Sequence, residues 1–372
     1  MAITTRYAVL STRYSALAGW LLALVLRLWG VEAGLPVIYH PDEPDYVRIA
    51  QRIFKTGDLN PHAFNYPSLF FYLNALAYVP FYLVSKLFGV YDGRGEIAGP
   101  VSFLQGITTT VQPDTFMLGR LLTVAFGVGS VALVYLIGRQ LLGSRWVGLL
   151  AALLMAVSVP NVTNSRLITP DSFLVFFILL AFWGAVQVFQ HGELKHYILA
   201  GIAIGLVGGT KYNGVLIATT LIAAHFMRGG WRGVLDYRLY LAGAISAVTF
   251  LLTTPFAVLD NPRFMADLQY EAQHYSTGHL GMEGETLEFY LGWFRNFEGP
   301  VVLLAVAEIV RGIVLRSKPV ILLSIFPVVY FLFINQFIVR NDRTLMPLLP
   351  FVYLLASSLV FGLAAARLGW VE

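Results

Sequence analysis

Apolar stretches of about twenty residues, the length that spans a bilayer as a helix, recur along this chain. In Asp171–Gln190 no charged residue follows the opening aspartate. A soluble fold cannot bury so many such segments. Of 372 residues, 57% are hydrophobic and 12% charged, against roughly 25% charged in a soluble domain. Barrel strands alternate apolar and polar over about ten residues, and these runs do not. The pattern predicts an all-α polytopic membrane protein of about ten transmembrane helices. We expect spans at residues 15–30, 116–137, 147–160, 171–190, 197–208, 214–227, 239–255, 289–310, 319–337 and 346–366.

Segment 67–90 is apolar and aromatic but contains Asn74, Pro80 and Lys86. It sets the orientation. If it lies in the interface or dips in and returns, the short loops on the N-terminal side hold 12 basic residues. That side then has only four acids, Glu193, Asp236, Glu308 and Glu372. This is the positive-inside pattern and puts both termini in the cytoplasm. Full crossing by 67–90 would flip every later loop, so we expect the interfacial or re-entrant form. Arg6 and Arg13 precede the first span without a small-residue cleavage site, so we read it as a retained helix. A single unit over 1–372 is expected, with outer segments at 31–114 and 257–288 and no soluble C-terminal domain.

Candidate chemistry gathers in the outer segments. Pro41-Asp42-Glu43-Pro44 places an acidic pair before Tyr46, Ile49, Ala50, Ile53 and Phe54, which recur at helical spacing. Those residues predict an amphipathic helix on the membrane surface. A carboxylate at its start suits general-base work, and equally suits a cap on the helix. Asp171 follows Thr169-Pro170 at the entry to a span, as an N-cap or as a functional acid. Gly208-Gly209-Thr210-Lys211 interrupts the apolar run 197–227. A helix broken there aims backbone dipoles and a cation at an anionic ligand, while the plainer alternative is a turn with a snorkelling lysine. Arg340 and Arg343 flank an outer turn, where arginine grips phosphate or pairs with Asp342. His274 and His279 lie in another outer loop, without the spacing of a helical zinc site. No cysteine is present. Glycine-rich nucleotide loops are also absent, so neither nucleotide chemistry nor nucleic-acid binding is expected.

The order of these motifs resembles the GT-C membrane glycosyltransferases, closest to the group of protein O-mannosyltransferases (glycosyltransferase family 39) and aminoarabinose transferases. There an Asp-Glu pair opens the first outer loop, as Asp42-Glu43 does. Tyr66-Pro67-Ser68-Leu69, Asp171, Thr210-Lys211 and the run from Arg343 to Pro350 match the later motifs in sequence. The resemblance implies a GT-C fold with membrane-surface helices in the first outer loop. It implies inverting transfer of a sugar from a polyprenyl-phosphate donor to an acceptor hydroxyl or amine, at an extracytoplasmic site. Asp42 would be the base, with Glu43 and Asp171 in supporting roles. Lys211, Arg343 and Arg340 would meet the donor phosphate. Tyr66, His274 and His279 would lie near acceptor or donor. The acceptor is a lipid, a glycan or a protein, and membrane lipids surround the chain in the cytoplasmic membrane. No cofactor is required by this chemistry, with room for a divalent cation. A lipid or solute transporter, or an inactive GT-C-like binding subunit, remain the alternatives. Asn65-Tyr66, standing where the family commonly has Lys or His before its proline motif, keeps the last one open.

Overall fold

The computed structural model describes residues 2–102, 108–278 and 280–368. The chain opens with α1 (Ala2–Leu28), and the long segment after it carries α2 (Glu43–Thr56) and α3 (Leu69–Leu87). Next come α4 (Pro113–Leu141), α5 (Arg145–Val157), α6 (Val159–Asn164), α7 (Asp171–Gln190) and α8 (Leu194–Thr210). The second half holds α9 (Ala218–Gly229), α10 (Tyr237–Thr253), α11 (Phe256–Leu259) and α12 (Asn261–Thr277). It ends with α13 (Thr286–Phe297), α14 (Pro300–Val314), α15 (Lys318–Ile334) and α16 (Leu349–Leu368). Val37–Ile38, Thr108–Thr109 and Val101–Ser102 form a small antiparallel sheet, with Val37 opposite Thr109 and Val101 opposite Thr109.

Helix α7 sits at the centre, packed against α4, α8 and α9. Phe173, Leu174, Ile178, Leu179 and Phe182 are buried around it. A helix apolar on every side belongs in such a position. Helices α8 and α10 pack closely because Gly201 lacks a side chain. A Cβ there would lie 2.6 Å from the Ala242 carbonyl oxygen. Small residues let helix backbones approach where lipid gives no hydrophobic drive between helices.

Among the described residues, four segments are long and apolar enough to cross a membrane: Leu69–Leu87, Pro113–Leu141, Asp171–Gln190 and Asp342–Ala365. Shorter apolar helices accompany them at Tyr14–Leu28, Arg145–Val157, Leu194–Thr210, Tyr237–Thr253 and Lys318–Ile334. Four expected spans are divided. Segment 147–160 breaks at Ser158, whose hydroxyl accepts from the Asn161 N–H and starts α6. Segment 289–310 breaks at Gly299, whose φ of +47° closes α13 before Pro300 opens α14. Segment 214–227 opens in a 3-10 turn, Tyr212–Ile217, before α9 begins, and segment 346–366 likewise opens in the 3-10 turn Asp342–Leu348 before α16.

Segment 67–90 is one helix, α3, with no dip and return inside it. It runs alongside α2: Tyr46 meets Phe70 and Phe71, and Phe54 meets Tyr78 and Tyr82. Contacts rise together along both helices, so they are parallel. Past its end, Arg94 reaches the Phe54 carbonyl at the end of α2. The chain then joins the sheet beside Val37. Although α3 is long enough to span, its packing returns the chain to the end of the bundle where α1 finishes and α4 starts.

Candidate active site

The acidic pair divides between two environments. Glu43 is fully buried. Arg120 grips it bidentately, Nε to Oε1 at 3.0 Å and Nη2 to Oε2 at 2.8 Å. The Ile168 N–H also donates to Oε1 at 2.8 Å. Arg120 Nη1 donates to the carbonyls of Val31 at 2.8 Å and Ala33 at 3.0 Å. One carboxylate thereby ties α2 to α4, to the end of α1 and to the approach to α7. Buried charges persist only when paired and hydrogen-bonded like this. Glu43 has no exposed surface and is fully engaged by Arg120 and the Ile168 N–H.

Asp42 faces outward, its side chain 34% exposed. Its Oδ2 accepts from Arg343 Nη2 at 2.9 Å and from the Tyr46 hydroxyl at 3.4 Å. Burial raises the Tyr46 phenol well above its ordinary value, reinforced by Tyr66 and Asp42, so it stays a neutral donor. Asp171 is 2% exposed and receives Lys211 Nζ at 3.0 Å on Oδ1, with Arg343 Nη1 4.0 Å from Oδ2. The four side chains alternate in charge: Asp42, Arg343, Asp171, Lys211.

Four distant segments supply this chain of charges. Asp42 precedes α2, where Pro44 in the first turn is preset for a helix start. Asp171 opens α7. Lys211 occupies an extended residue between α8 and the 3-10 turn, φ −156° and ψ 129°, so the helix breaks at the lysine, after running through Gly208 and Gly209. Arg343 lies in the 3-10 turn Asp342–Leu348 before α16, and the Asn341 side chain holds its N–H at 3.0 Å. Beside Lys211 opens a mainly apolar cavity of about 360 Å³ lined by Tyr66, Tyr275, Tyr290, Phe333 and Phe337. Lys211 Nζ stands 5.8 Å from the Tyr66 ring centre.

Other expected residues lie elsewhere. Arg340 binds the Met282 carbonyl through its backbone N–H at 2.7 Å and covers the Phe289 ring. It pins the loop around Met282 and does not join the charged chain. His274 stacks on Tyr270 and meets Tyr275 edge-on along α12. His279 lies outside the described residues. Among those described, no group of three or more His, Asp or Glu is placed to hold a metal ion. Sequence reasoning missed Arg120. The signal was available, since an arginine inside an apolar span costs too much to stand without a partner.

His40 completes the front of the site. Its Nδ1 accepts from the Asp42 N–H at 3.3 Å, and Arg343 Nη1 stands 3.3 Å from Nε2. Both neighbours are donors, which disfavours the imidazolium. Burial first and Arg343 second lower its pKa from the ordinary 6.5, outweighing Asp42, Glu43 and Asp171. A folded value below the unfolded one means stability is fully present above 6.5 and is lost as pH falls from there through the folded value. His40→Asn should therefore flatten the acid side of a melting-temperature against pH curve in detergent. Parallel curves for variant and parent would refute this.

The family described as dolichyl-phosphate-mannose-protein mannosyltransferase matches residues 83–269, half of the chain. Dolichyl-phosphate-mannose–protein mannosyltransferase 1 of Candida albicans is 30% identical over 138 residues, covering 36% of this chain and 16% of that protein. Its namesake in Saccharomyces cerevisiae is 26% identical over 233 residues, covering 58% and 26%. The chain thus spans about a quarter or less of the length of these curated relatives. The structure of ArnT from Cupriavidus metallidurans bound to undecaprenyl phosphate superposes with a TM-score of 0.64 at 17% identity, covering 98% of this chain and 62% of that one. An oligosaccharyltransferase from Archaeoglobus fulgidus gives 0.61 at 14% identity, covering 96% and 51%. The fold is that of the GT-C membrane enzymes.

Proposed function

We propose, for a chain that belongs to the dolichyl-phosphate-mannose-protein mannosyltransferase family, that it is an inverting glycosyltransferase using a polyprenyl-phosphate-linked sugar on the extracytoplasmic side of the membrane. The observation that carries this is the alternating chain Asp42, Arg343, Asp171, Lys211, whose last member lines a tyrosine-rich apolar cavity. An apolar cavity suits the first isoprene units of a lipid carrier. Lys211 and Arg343 suit the phosphate, whose charge grows as the glycosyl bond breaks, and cations placed in advance there lower the barrier. Asp42, more exposed than Asp171, is the carboxylate an acceptor can reach. It takes the acceptor proton as the acceptor oxygen or nitrogen bonds to the anomeric carbon and the carrier phosphate leaves. Asp171 lies between the two cations and orients both of them. Lipid carriers in the ArnT structure and in the names of the mannosyltransferases support the donor class.

The test is an assay of membranes containing the chain with a radiolabelled polyprenyl-phosphate sugar. Transfer releases free carrier phosphate and labels an acceptor. Sugar that crosses vesicles without cleavage, or no carrier release with any envelope acceptor, would overturn the proposal. Lys211→Met should weaken donor binding roughly ten- to a hundredfold, the equivalent of about 1.5–3 kcal/mol for hydrogen bonds to a charged group. Arg340→Ala should leave it unchanged. A Lys211→Met protein that binds donor like its parent would remove the lysine from the phosphate site.

A further inference from the structure

Arg27, in the last turn of α1, has no exposed surface, and the sugar-transfer scheme gives it no task. Its Nη1 donates to the carbonyls of Ala23 and Ala156, and its Nη2 to that of Met155, each at 3.2 Å. Met155 and Ala156 close α5, which ends at Val157. The guanidinium thus meets the negative end of that helix, and a buried charge needs partners of this kind. To this point Arg27 is a cap on α5. Its Nε goes elsewhere, to Ser165 Oγ at 3.3 Å. A serine hydroxyl offers one donor and two acceptor sites, and Ser165 uses all three. It donates to the Asn161 carbonyl at 2.6 Å, and accepts from Arg27 and from the Ser172 hydroxyl at 3.5 Å. Ser172 follows Asp171 in the first turn of α7. One hydroxyl therefore joins α1 to the residue beside the buried carboxylate.

The approach to α7 is held from more than one side. Glu43 takes the Ile168 N–H at 2.8 Å, and Arg166 Nη2 reaches the Leu26 carbonyl of α1 at 2.5 Å. Helix α4 comes close to the Arg27–Ser165 contact because residue 127 is glycine. A Cβ there would lie 2.4 Å from Ser165 Oγ and 3.0 Å from Arg27 Nε. Packing does not complete the hold. A small cavity of about 10 Å³ is bordered by Arg27, Asn164, Ser165, Ser172 and Asp171. Side chains bordering a void have no packing contacts on that side. Hydrogen bonds must then set where the start of α7 stands.

We propose that Arg27 is a positioning residue for sugar transfer: through Ser165 and Ser172 it fixes the start of α7, and with it the Asp171 carboxylate between Lys211 and Arg343. The role rests on the transferase reading above, in which those two cations receive the donor phosphate. If Asp171 leaves its place, the two cations lose the group that orients them. Catalytic groups displaced by about 1 Å can lose roughly 10²-fold in rate.

The test measures carrier-phosphate release by the purified full chain, expressed per site titrated by saturation binding of undecaprenyl phosphate. Counting per site removes any loss of folded protein, which is all that a weakened cap on α5 would produce. Ser165→Ala breaks the link and leaves Arg27 on the α5 carbonyls. It should lower turnover per site by roughly tenfold, within the range that misplacement produces. Ser172→Ala should do the same. The double variant should lose no more than the larger single loss, because both changes break one link, whereas independent defects would multiply to about a hundredfold. Gly127→Ala, which pushes on Ser165 from α4, should also lower turnover per site. An active parent matched per site by all three single variants, or a multiplied loss in the double, overturns the positioning role and leaves the transferase reading standing. A parent that releases no carrier phosphate sinks both.

Discussion

Asp42→Asn should lower sugar-transfer turnover by about 10²–10⁴-fold, the usual contribution of a positioned general base, in a protein that still folds. The amide keeps the shape of the carboxylate, and its oxygen still accepts from Arg343, which stands at 2.9 Å in the parent. What it cannot do is take the acceptor proton. The readout is the rate of carrier-phosphate release from labelled donor under saturating conditions, with donor binding measured in parallel. If the loss appeared as weaker donor binding at unchanged turnover, Asp42 would be an anchor for Arg343 rather than the base. Undiminished turnover would remove it from the reaction altogether.

The largest effect on stability is expected at the neighbouring residue. Glu43→Ala strands Arg120 in a buried site, and breaking a buried ion pair from one side costs about 3–5 kcal/mol. Val31 and Ala33 carbonyls still accept from Nη1, but neither neutralises the charge. Thermal unfolding in detergent should show a clear drop in midpoint. The double variant Glu43→Met with Arg120→Met should lose less than Glu43→Ala alone, because no uncompensated charge remains. A Glu43→Ala protein that melts with its parent would show that water reaches Arg120 and that the clamp contributes little. Together the two variants separate a residue that reacts from the adjacent one that holds it in place.

Much of the site was legible residue by residue. The prolines around the acidic pair, the aspartate opening a span and the glycines before Lys211 each carry a local physical signature. So does the periodicity of α2, and the expected helix break falls at Lys211, two residues beyond the glycines, which stay inside α8. The divided spans were harder to read. Gly299 inside an apolar run looks like an ordinary membrane-helix glycine until its φ of +47° is known.

Composition and the recurrence of apolar runs were enough to determine a helical membrane protein, and motif order was enough to determine its GT-C kinship. Only tertiary structure decided which acid of the pair is buried and which stays partly exposed. Asp42 and Glu43 are consecutive, and successive helical residues point about 100° apart, so one turns inward wherever the other turns out. Nothing local says which, because the choice depends on Arg120, 77 residues further along the chain. The same holds for the two arginines near the turn before α16. Arg343 meets Asp42 across 301 positions, while Arg340 is taken up by the Met282 loop. Charge pairing at such separations is set by how the helices pack, and sequence spacing carries no record of it.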